Sequence, residues 1–391
     1  MKRKVLLLTW YGNNNYGTSL QAYSLKTIIE NPEITNLDIS KNINFNAECE
    51  ILPHTPNRMK KRFHKIRKLF ELKVYKEKWN QLQDKKIYNK KKNLFLKREK
   101  LFKNFTKNNF KFASNKNIQT EEQLNRIQKK YDIFISGSDQ IWNPEALDPT
   151  YLLKWVENGK KKFSYGSSLS VKTIPREYFN IYKNALVSFE SISIRDSACR
   201  EQLSKIIGKK VTTVVDPVIL IGAAALRKNI KTIENKNYEF CYFLGNNENH
   251  RKCAINFAKK KNLPIKAVIH TGSGFFADKL LEPYADWEVG PWDFVSYINS
   301  SQIVFTDSFH ATVISVLLHK DFIVFEKNSQ RPEQNNRIKE FLKLVNLESQ
   351  WKRSSQEIKD VKISKEQWNM ADKALEESRK KSFEFLMEAF K

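Results

Sequence analysis

Four groups of polar residues in this sequence have the types and spacing of a binding or catalytic site. The first is YGNNNYG at residues 11–17. Glycine and asparagine tolerate positive φ, and the helix start that follows offers free backbone N–H groups to an anion. It has neither a GxGxxG nor a GK[ST] pattern, so no nucleotide loop is predicted. A tight turn without ligand is the alternative; the candidate ligand residues are Gly12, Asn15, Tyr16, Gly17 and Gln21.

The second group is SGSDQIWNP at residues 136–144. Carboxylate, hydroxyl and amide groups together can bind sugar hydroxyls, and an exposed tryptophan can cover a pyranose ring. The alternative is a turn that caps the next element, with Trp142 anchored in the core. The candidate residues are Ser136, Gly137, Ser138, Asp139, Gln140, Trp142 and Asn143.

The third group is TDSFHATVIS at residues 306–315. Asp307 or Ser308 can cap the helix that follows, and His310 then falls on its first turn. A histidine there can give and take protons near neutral pH. A structural histidine without catalytic function is the alternative.

Arg195, at the end of SISIR (191–195), is the fourth group. An arginine that ends a buried strand is costly unless it faces a crevice or pairs with an acid such as Asp196. Its guanidinium can bind a carboxylate or phosphate through two hydrogen bonds. Arg331 and Arg337 follow a later strand and could add positive charge.

The elements that must position these groups are short apolar runs interleaved with helix-like stretches. Continuous rather than alternating hydrophobicity predicts parallel strands covered on both faces. Ligands in such sheets bind at the carboxyl ends of strands, and the polar groups follow strands. The predicted strands lie in KVLLLTW (4–10), DIFIS (132–136), KFSYGSS (162–168), SISIR (191–195), VTTVV (211–215), FCYFLG (240–245), IKAVIH (265–270), QIVFT (302–306) and FIVFE (322–326).

The chain length of 391 residues and the restart of the alternation after Asp216-Pro217 predict two domains. The expected fold class is α/β, with two doubly wound Rossmann-like halves that face a crevice. The predicted N-terminal domain is 1–216, the C-terminal domain 217–360, and a long helix occupies 361–391.

Residues 56–112 interrupt the first half as a basic, amphipathic, helical insert. Of the net charge of +26, residues 58–111 carry +17, from 21 lysines and arginines against four acids. Apolar residues recur there at helical intervals: Leu69, Phe70, Tyr75, Trp79, Leu82, Leu94, Phe95, Phe102 and Phe105.

The composition argues against a membrane-spanning, a secreted or a metal-binding protein. No apolar run approaches the roughly 18 residues of a membrane span, and the basic, apolar start fits a first buried strand better than a signal peptide. The four cysteines have no metal-ligand spacing and indicate buried thiols in a reducing cytoplasm. No metal site is expected.

Taken in order, these motifs resemble the polysaccharide pyruvyl transferase family. The shared features are a GxxNxG-like loop running into Leu20-Gln21-Ala22, the SGSDQIWNP-like loop, a YGSS-like strand end (165–168) and the S-x-R strand end. A VVDP linker (214–217) and a TD-x-x-H helix start, here Asp307 and His310, complete the set. The resemblance extends over most of residues 4 to 340, but not over the basic insert or the C-terminal helix.

The resemblance implies a glycosyltransferase-B-like pair of Rossmann halves and transfer of the pyruvyl group of phosphoenolpyruvate, as a ketal, onto a glycan sugar. Arg195 would hold the carboxylate or phosphate of the donor. His310 would protonate the enol carbon or deprotonate a sugar hydroxyl, and Asp139 belongs to the same catalytic set. Phosphoenolpyruvate is a co-substrate, and no cofactor or metal is required if arginines and helix N-termini neutralise the leaving phosphate.

One position departs from the family pattern. The family has an arginine two residues before the histidine. Here that position is Ser308, whose hydroxyl cannot replace a cation that binds an anion through two hydrogen bonds. Either Arg331, Arg337 or a lysine supplies the charge, or the donor differs.

Two alternatives follow. One keeps the fold and uses an activated sugar, as a glycosyltransferase of capsule or envelope polysaccharide. The other is a basic nucleic-acid-binding protein, which the missing nucleic-acid motifs disfavour. For the insert, we expect contact with anionic lipid at the inner face of the cell membrane, where a lipid-linked glycan acceptor would be carried.

Overall fold

The computed structural model describes residues 2–12, 14–57, 91–234, 236–270, 275–327, 333–353, 358 and 361–391. The chain divides into two compact units. Unit 1 comprises Met1–Met59, Thr106–Ala225 and Leu375–Lys391, and unit 2 comprises Lys60–Phe105 and Leu226–Ala374.

The sheet of unit 1 is parallel. Its strands are β1 (Arg3–Leu8), β2 (Ala47–Ile51), β3 (Ile133–Ser136) and β4 (Lys161–Ser164), in the order β2-β1-β3-β4. A single parallel bridge from Phe163 to Ser191 leads on to the paired strands β5 (Ile192–Ile194) and β6 (Val211–Thr213). The described helices that lie wholly in this unit are α1 (Tyr16–Glu30), α3 (Glu121–Ile127), α4 (Phe179–Leu186) and α5 (Arg200–Ile207).

The sheet of unit 2 is also parallel. It consists of β7 (Glu239–Phe243), β8 (Ile265–Ile269), β9 (Ile303–Thr306), β10 (Asp321–Phe325) and β11 (Trp351–Lys352), in the order β11-β10-β9-β7-β8. Its helices are α7 (Glu248–Lys261), α8 (Phe275–Asp278), α9 (Pro291–Ser300), α10 (Phe309–Leu317) and α11 (Glu333–Leu344). The remaining described helices are α2 (Lys92–Asn109), α6 (Pro217–Arg227) and α12 (Lys365–Glu388).

The predicted α/β class with two parallel sheets is confirmed, and each of the nine predicted strands overlaps an observed one. Two strands were not predicted: the two-residue β11, and β2, whose Glu48 and Glu50 alternate with buried residues. That alternation belongs to a strand with only one covered face, and the search was for strands buried on both faces. The predicted domain boundaries and the crevice remain predictions.

Helix α2, the described part of the basic insert, is anchored by its buried face. Arg98 is 2% exposed, and its guanidinium donates hydrogen bonds to the carbonyl oxygens of Ile269 (2.6 Å), Trp287 (2.9 Å) and Asp286 (3.1 Å). Phe95 packs edge-on against the Trp287 ring, with centroids 5.5 Å apart.

The aromatic residues of α2 are therefore core residues. Phe95, Phe102 and Phe105 are 3–5% exposed, so these three side chains are not available for the lipid contact expected of the insert. The earlier members of that pattern lie outside the described residues: Leu69, Phe70, Tyr75, Trp79 and Leu82.

Replacing Arg98 by methionine keeps the bulk of the side chain but removes all three hydrogen bonds. We expect the free energy of unfolding to fall by about 3 kcal/mol, because buried carbonyl groups lose a charged donor. Lys100→Met, on the exposed face of the same helix, should change it by less than about 0.5 kcal/mol. Denaturant unfolding followed by circular dichroism measures both, and equal effects would contradict the anchoring function of Arg98.

Candidate functional site

The opening loop of unit 1 is a left-handed turn that ends in a helix cap. Gly12 and Asn14 have φ of +70° and +52°, and the side chain of Asn15 accepts a hydrogen bond from Thr18 N at 3.1 Å. The predicted turn residues therefore do adopt positive φ. The Asn15 side-chain oxygen is occupied as the N-cap of α1, which gives this asparagine a structural function.

Three other candidates of this loop are buried. Tyr16 is 2% and Gln21 0% exposed, and Gly17 is buried in the first turn of α1. The amide of Gln21 donates to Thr9 Oγ1 (3.0 Å) and to the carbonyl oxygens of Trp10 (2.8 Å) and Thr18 (3.1 Å). Gln21 thus holds the loop together, and the prediction that its amide is open to a ligand is wrong.

The second loop turns sharply after β3. The Gly137–Ser138 peptide bond is cis, and Asp139 has φ of +72°. The hydroxyls are engaged with backbone: Ser136 donates to the Tyr151 carbonyl (2.6 Å) and Ser138 to that of Gly166 (2.9 Å). These hydrogen bonds therefore fix the loop to neighbouring segments of the chain. Gln140 is half-buried.

Trp142 does not offer a face to a sugar. Its ring is 0% exposed, its Nε1 donates to the Tyr151 carbonyl at 3.1 Å, and it packs edge-on against Phe189. The interpretation as a core anchor is the correct one. Asn143, 3% exposed, likewise accepts a hydrogen bond from Glu145 N at 2.9 Å and caps a short 3-10 helix.

Asp139 joins the strand ends of unit 1. Its Oδ2 accepts from Thr18 Oγ1 at 2.8 Å, its Oδ1 accepts from Gln140 N at 2.8 Å, and Arg195 Nη2 lies 3.7 Å from Oδ1. Side chains from the first two loops and from the SISIR strand end therefore lie together in unit 1. We call Thr18, Asp139, Arg195 and Asp216 the Asp139 cluster.

Arg195 in this cluster already has carboxylate partners. Its Nη1 donates to Asp216, which is wholly buried, and the Arg195 side chain is only 4% exposed. Burial alone would lower the pKa of Arg195, but the carboxylates of Asp216 and Asp139 raise it above its ordinary value. Asp196, which the sequence offered as an example of a pairing acid, accepts hydrogen bonds from Ser168 Oγ and from the N–H groups of Leu169 and Ser170, and its charge also raises the pKa of Arg195.

The close backbone approach at Gly137 can be tested by adding a methyl group. A Cβ at Gly137 would lie 2.0 Å from the carbonyl oxygen of Tyr165, whereas a Cβ at Gly12 meets nothing within 4 Å. Gly137→Ala should lower the thermal midpoint severely. Gly12→Ala should cost only the strain of positive φ, about 1 kcal/mol. Scanning calorimetry of both variants measures this, and similar midpoints would contradict the geometry.

A buried histidine–carboxylate pair supports the second loop. His54 Nδ1 lies 2.6 Å from the Ile118 carbonyl oxygen, and Nε2 lies 2.7 Å from Asp148 Oδ2. Burial lowers the pKa of His54, but hydrogen bonds to Asp148 and to the Ile118 carbonyl outweigh it and raise the pKa above 6.5. Asp148, whose pKa is lowered on balance, also accepts from the N–H groups of Asn57 and Thr150.

This pair predicts a loss of stability with rising pH. The contribution of a raised histidine pKa is fully present below pH 6.5, the unfolded value, and is lost as pH rises through the folded value. Thermal midpoints measured from pH 5.5 to 9 should therefore decline in the wild type, and His54→Gln should flatten that decline. His319→Gln is the control, because His319 pairs with Asp372 at the surface; an unchanged profile in His54→Gln would exclude the pair as the cause.

In unit 2, Asp307 connects two strand ends. Its oxygens accept from Leu244 N (2.6 Å) and Gly245 N (2.8 Å), and its side chain is fully buried. Ser308, 3% exposed, is the N-cap of α10 through Ala311 N at 3.4 Å. The predicted cap is confirmed for Ser308, while both Asp307 oxygens are occupied by backbone and are not directed to a ligand.

His310 lies half-buried on the first turn of α10, as predicted. Its ring meets that of Phe309 edge-on at 5.2 Å. The guanidinium of Arg337, on α11, lies 5.5 Å from the centroid of the same Phe309 ring. The structure therefore places both His310 and Arg337 next to Phe309; Arg331 lies outside the described residues.

The sequence analysis did not single out Lys327, which follows β10. Its backbone N–H and carbonyl are both bonded to the side-chain amide of Asn335, each at 2.9 Å. A Cβ at Gly245 would lie 2.8 Å from Asp307 Oδ2 and 3.1 Å from Lys327 Cγ, so both side chains contact this glycine. Lys327 is half-buried and forms no salt bridge with any residue in the described ranges.

Burial lowers the pKa of Lys327. The carboxylate of Asp307 opposes this and outweighs the guanidinium of Arg337, but the pKa stays below its ordinary value. His270, which follows β8, has a pKa of about 4, because of burial first and the charge of Lys327 second. The only sequence signal for these two residues is their position at strand ends.

Two negative findings concern the described part of the chain. No cluster of three or more His, Cys, Asp or Glu side chains there could hold a metal ion. None of its helices combines the length and the apolar character that a bilayer crossing requires.

Two parallel α/β units with polar side chains gathered at their strand ends are typical of enzymes that bind small polar substrates. A family model described as polysaccharide pyruvyl transferase matches residues 15–329 of the chain. This chain therefore belongs to the polysaccharide pyruvyl transferase family and is a transferase. No curated protein matches the sequence.

Among solved structures, the UDP-GlcNAc 2-epimerase from Methanocaldococcus jannaschii aligns at 14% identity and a TM-score of 0.49, over 95% of this chain and 92% of that one. The UDP-GlcNAc 2-epimerase from Neisseria meningitidis aligns at 10% and 0.49, over 99% and 100%. The E. coli heptosyltransferase WaaC aligns at 10% and 0.38, over 87% and 97%. These similarities assign no activity to this chain.

Proposed function

We propose that this transferase moves the pyruvyl group of phosphoenolpyruvate onto two hydroxyls of one sugar in a surface polysaccharide, as a ketal. Membership in the family supports the reaction class. The identity of the donor needs a separate argument, because Ser308 occupies the position where the family has an arginine.

The observation that carries the donor assignment is a half-buried lysine at the strand end next to Asp307 and Ser308, with a second cation near it. Lys327 forms no salt bridge with any described residue, and Arg337 lies over the Phe309 ring and is close enough to affect the pKa of Lys327. Burial of the Lys327 ammonium costs free energy that a bound anion offsets. Phosphoenolpyruvate carries a carboxylate and a phosphate, and it fits such a site better than a neutral sugar does.

Arg195 is assigned a different function from the one the sequence suggested. Its guanidinium is already bonded to Asp216 and close to Asp139, so a donor carboxylate would have to compete with two buried acids. We therefore assign Arg195 a structural function, which is to hold Asp139 in place. We assign the binding of the donor anion to Lys327 and Arg337.

In this proposal His310 gives a proton to C3 of the donor, which becomes a methyl group, and C2 becomes electron-deficient. One sugar hydroxyl bonds to C2 and releases its proton, which restores His310. The second hydroxyl bonds to C2 as the C2–O bond to phosphate breaks, and phosphate leaves with that electron pair while the second hydroxyl proton passes to phosphate or solvent. Lys327 neutralises the phosphate as its charge increases.

The acceptor belongs to the same proposal. We assign it to a lipid-linked glycan of capsule or envelope synthesis, made at the cytoplasmic face of the membrane.

Calorimetric titration with phosphoenolpyruvate, beside a panel of nucleotide sugars, tests the donor. Saturable phosphoenolpyruvate binding is expected, and Lys327→Met should weaken it by about 10- to 100-fold, the value of a hydrogen bond to a charged group. Lys320→Met is the matched control, because Lys320 is also a half-buried lysine with a pKa lowered by burial but lies just before β10 rather than after it. His310→Asn should bind the donor with little change, since it acts after binding.

Other outcomes separate the alternatives. Binding of a nucleotide sugar without phosphoenolpyruvate would replace pyruvyl transfer by glycosyl transfer on the same fold. Phosphoenolpyruvate binding that Lys327→Met leaves unchanged would keep the reaction and overturn the assignment of the anion site.

A further inference from the structure

Helix α2 separates its charges between two faces. Lys91 pairs with Glu282 and Lys97 with Glu288, both acids of unit 2, and Arg98 is buried against backbone carbonyls. Lys92 and Lys100 are exposed and form no salt bridge with any described residue, and Lys103 pairs only with Glu99 of the same helix at 2.7 Å. The paired cations serve the fold, so a different explanation is needed for the outer ones.

The outer residues form one row. At about 100° per residue, Lys92, Lys103, Leu96 and Lys100 fall within roughly 80° of the helix circumference, and the centre of this arc lies about 110° from the buried Phe95 and Phe102. Leu96 lies in the middle of the row and is 45% exposed. Over about 16 Å of helix, at 1.5 Å per residue, the chain thus presents three lysines around an exposed leucine.

We infer that this row, here called the α2 lysine row (Lys92, Leu96, Lys100 and Lys103), docks on a membrane surface of anionic lipids. Lysines attract anionic headgroups, and an apolar side chain between them enters the headgroup boundary. The lysine stems can extend toward the headgroups while their charged ends stay in water.

Nucleic acid fits the same row poorly. The aromatic rings of α2 that could stack on bases are buried, and its one arginine, which could grip phosphate with two hydrogen bonds, is buried as well. An exposed leucine contributes nothing to binding a phosphate backbone. The row thus matches a lipid surface in both its charge and its apolar centre.

This inference is separate from the donor assignment, although it fits an acceptor carried on a lipid. It keeps the lipid contact expected for the basic insert and assigns it to the α2 lysine row rather than to the buried aromatic residues of that helix. Its test therefore measures membrane binding and donor binding on the same variants.

Flotation of the full chain with vesicles containing 30% phosphatidylglycerol, and with pure phosphatidylcholine vesicles, tests the inference. The wild type should bind the anionic vesicles and be released by salt. Removing three lysines with Lys92→Gln, Lys100→Gln and Lys103→Gln should weaken binding by roughly 150-fold, since each lysine near such a surface contributes about fivefold. Glu99→Gln should strengthen binding, because it releases Lys103.

The matched control removes the same number of lysines from the end of α7, with Lys259→Gln, Lys260→Gln and Lys261→Gln, and should bind as the wild type does. Leu96→Ser should weaken binding without changing its salt dependence. Equal losses in both triple variants would show a general charge effect and overturn the inference, as would equal binding to neutral vesicles. Phosphoenolpyruvate titrations should be unchanged in all of these variants. A failure of membrane binding would then not count against the proposed reaction.

Discussion

The backbone groups that lose their sheet partners where parallel strands end must be satisfied by side chains, and this constraint explains most of the polar residues found there. Gln21 bonds the carbonyl oxygen of Trp10 after β1, and Asp307 receives two N–H groups after β7. Arg98 bonds the carbonyl of Ile269 at the end of β8, and Asn335 bonds both backbone groups of Lys327. A polar residue at a strand end is therefore not a ligand residue by its type alone.

The charges around each group of strand-end residues distinguish structural residues from candidate ligand residues. In unit 1 the Arg195 cation is matched by buried Asp216 and by Asp139, so this cluster is internally neutralised. In unit 2 the Asp307 carboxylate accepts backbone N–H groups and raises the pKa of Lys327, which burial nevertheless keeps below its ordinary value. Lys327 forms no salt bridge with any described residue, which is why the donor anion is assigned there and not to Arg195.

The contacts of the basic insert likewise distinguish structural residues from candidate binding residues. Its described helix uses aromatic rings, Arg98 and two ion pairs to attach to unit 2, and these residues account for its inner face. What remains on the outer face is a row of lysines with an exposed leucine. One helix can thus be part of the core on one side and a docking surface on the other.

Hydrophobic runs in the sequence determined the fold class, because a strand buried on both faces must be apolar along its whole length. Nine strands, the cap at Ser308 and the place of His310 on its helix follow from local residue pattern. The edge strand β2 escaped, since its exposed face carries glutamates that no long apolar run would include.

Only the tertiary structure decided which polar groups already have partners. The sequence of the second loop is equally compatible with an exposed and a buried Trp142; the packing of Phe189 and the Tyr151 carbonyl decide for burial. Arg195 could have paired with its neighbour Asp196, yet it pairs with Asp216, 21 residues further along the chain. Lys327 was one lysine among many in the sequence, because its significance arises from contacts between separate strand ends. Local pattern specifies elements, whereas the satisfaction of a buried charge depends on residues that only folding brings together.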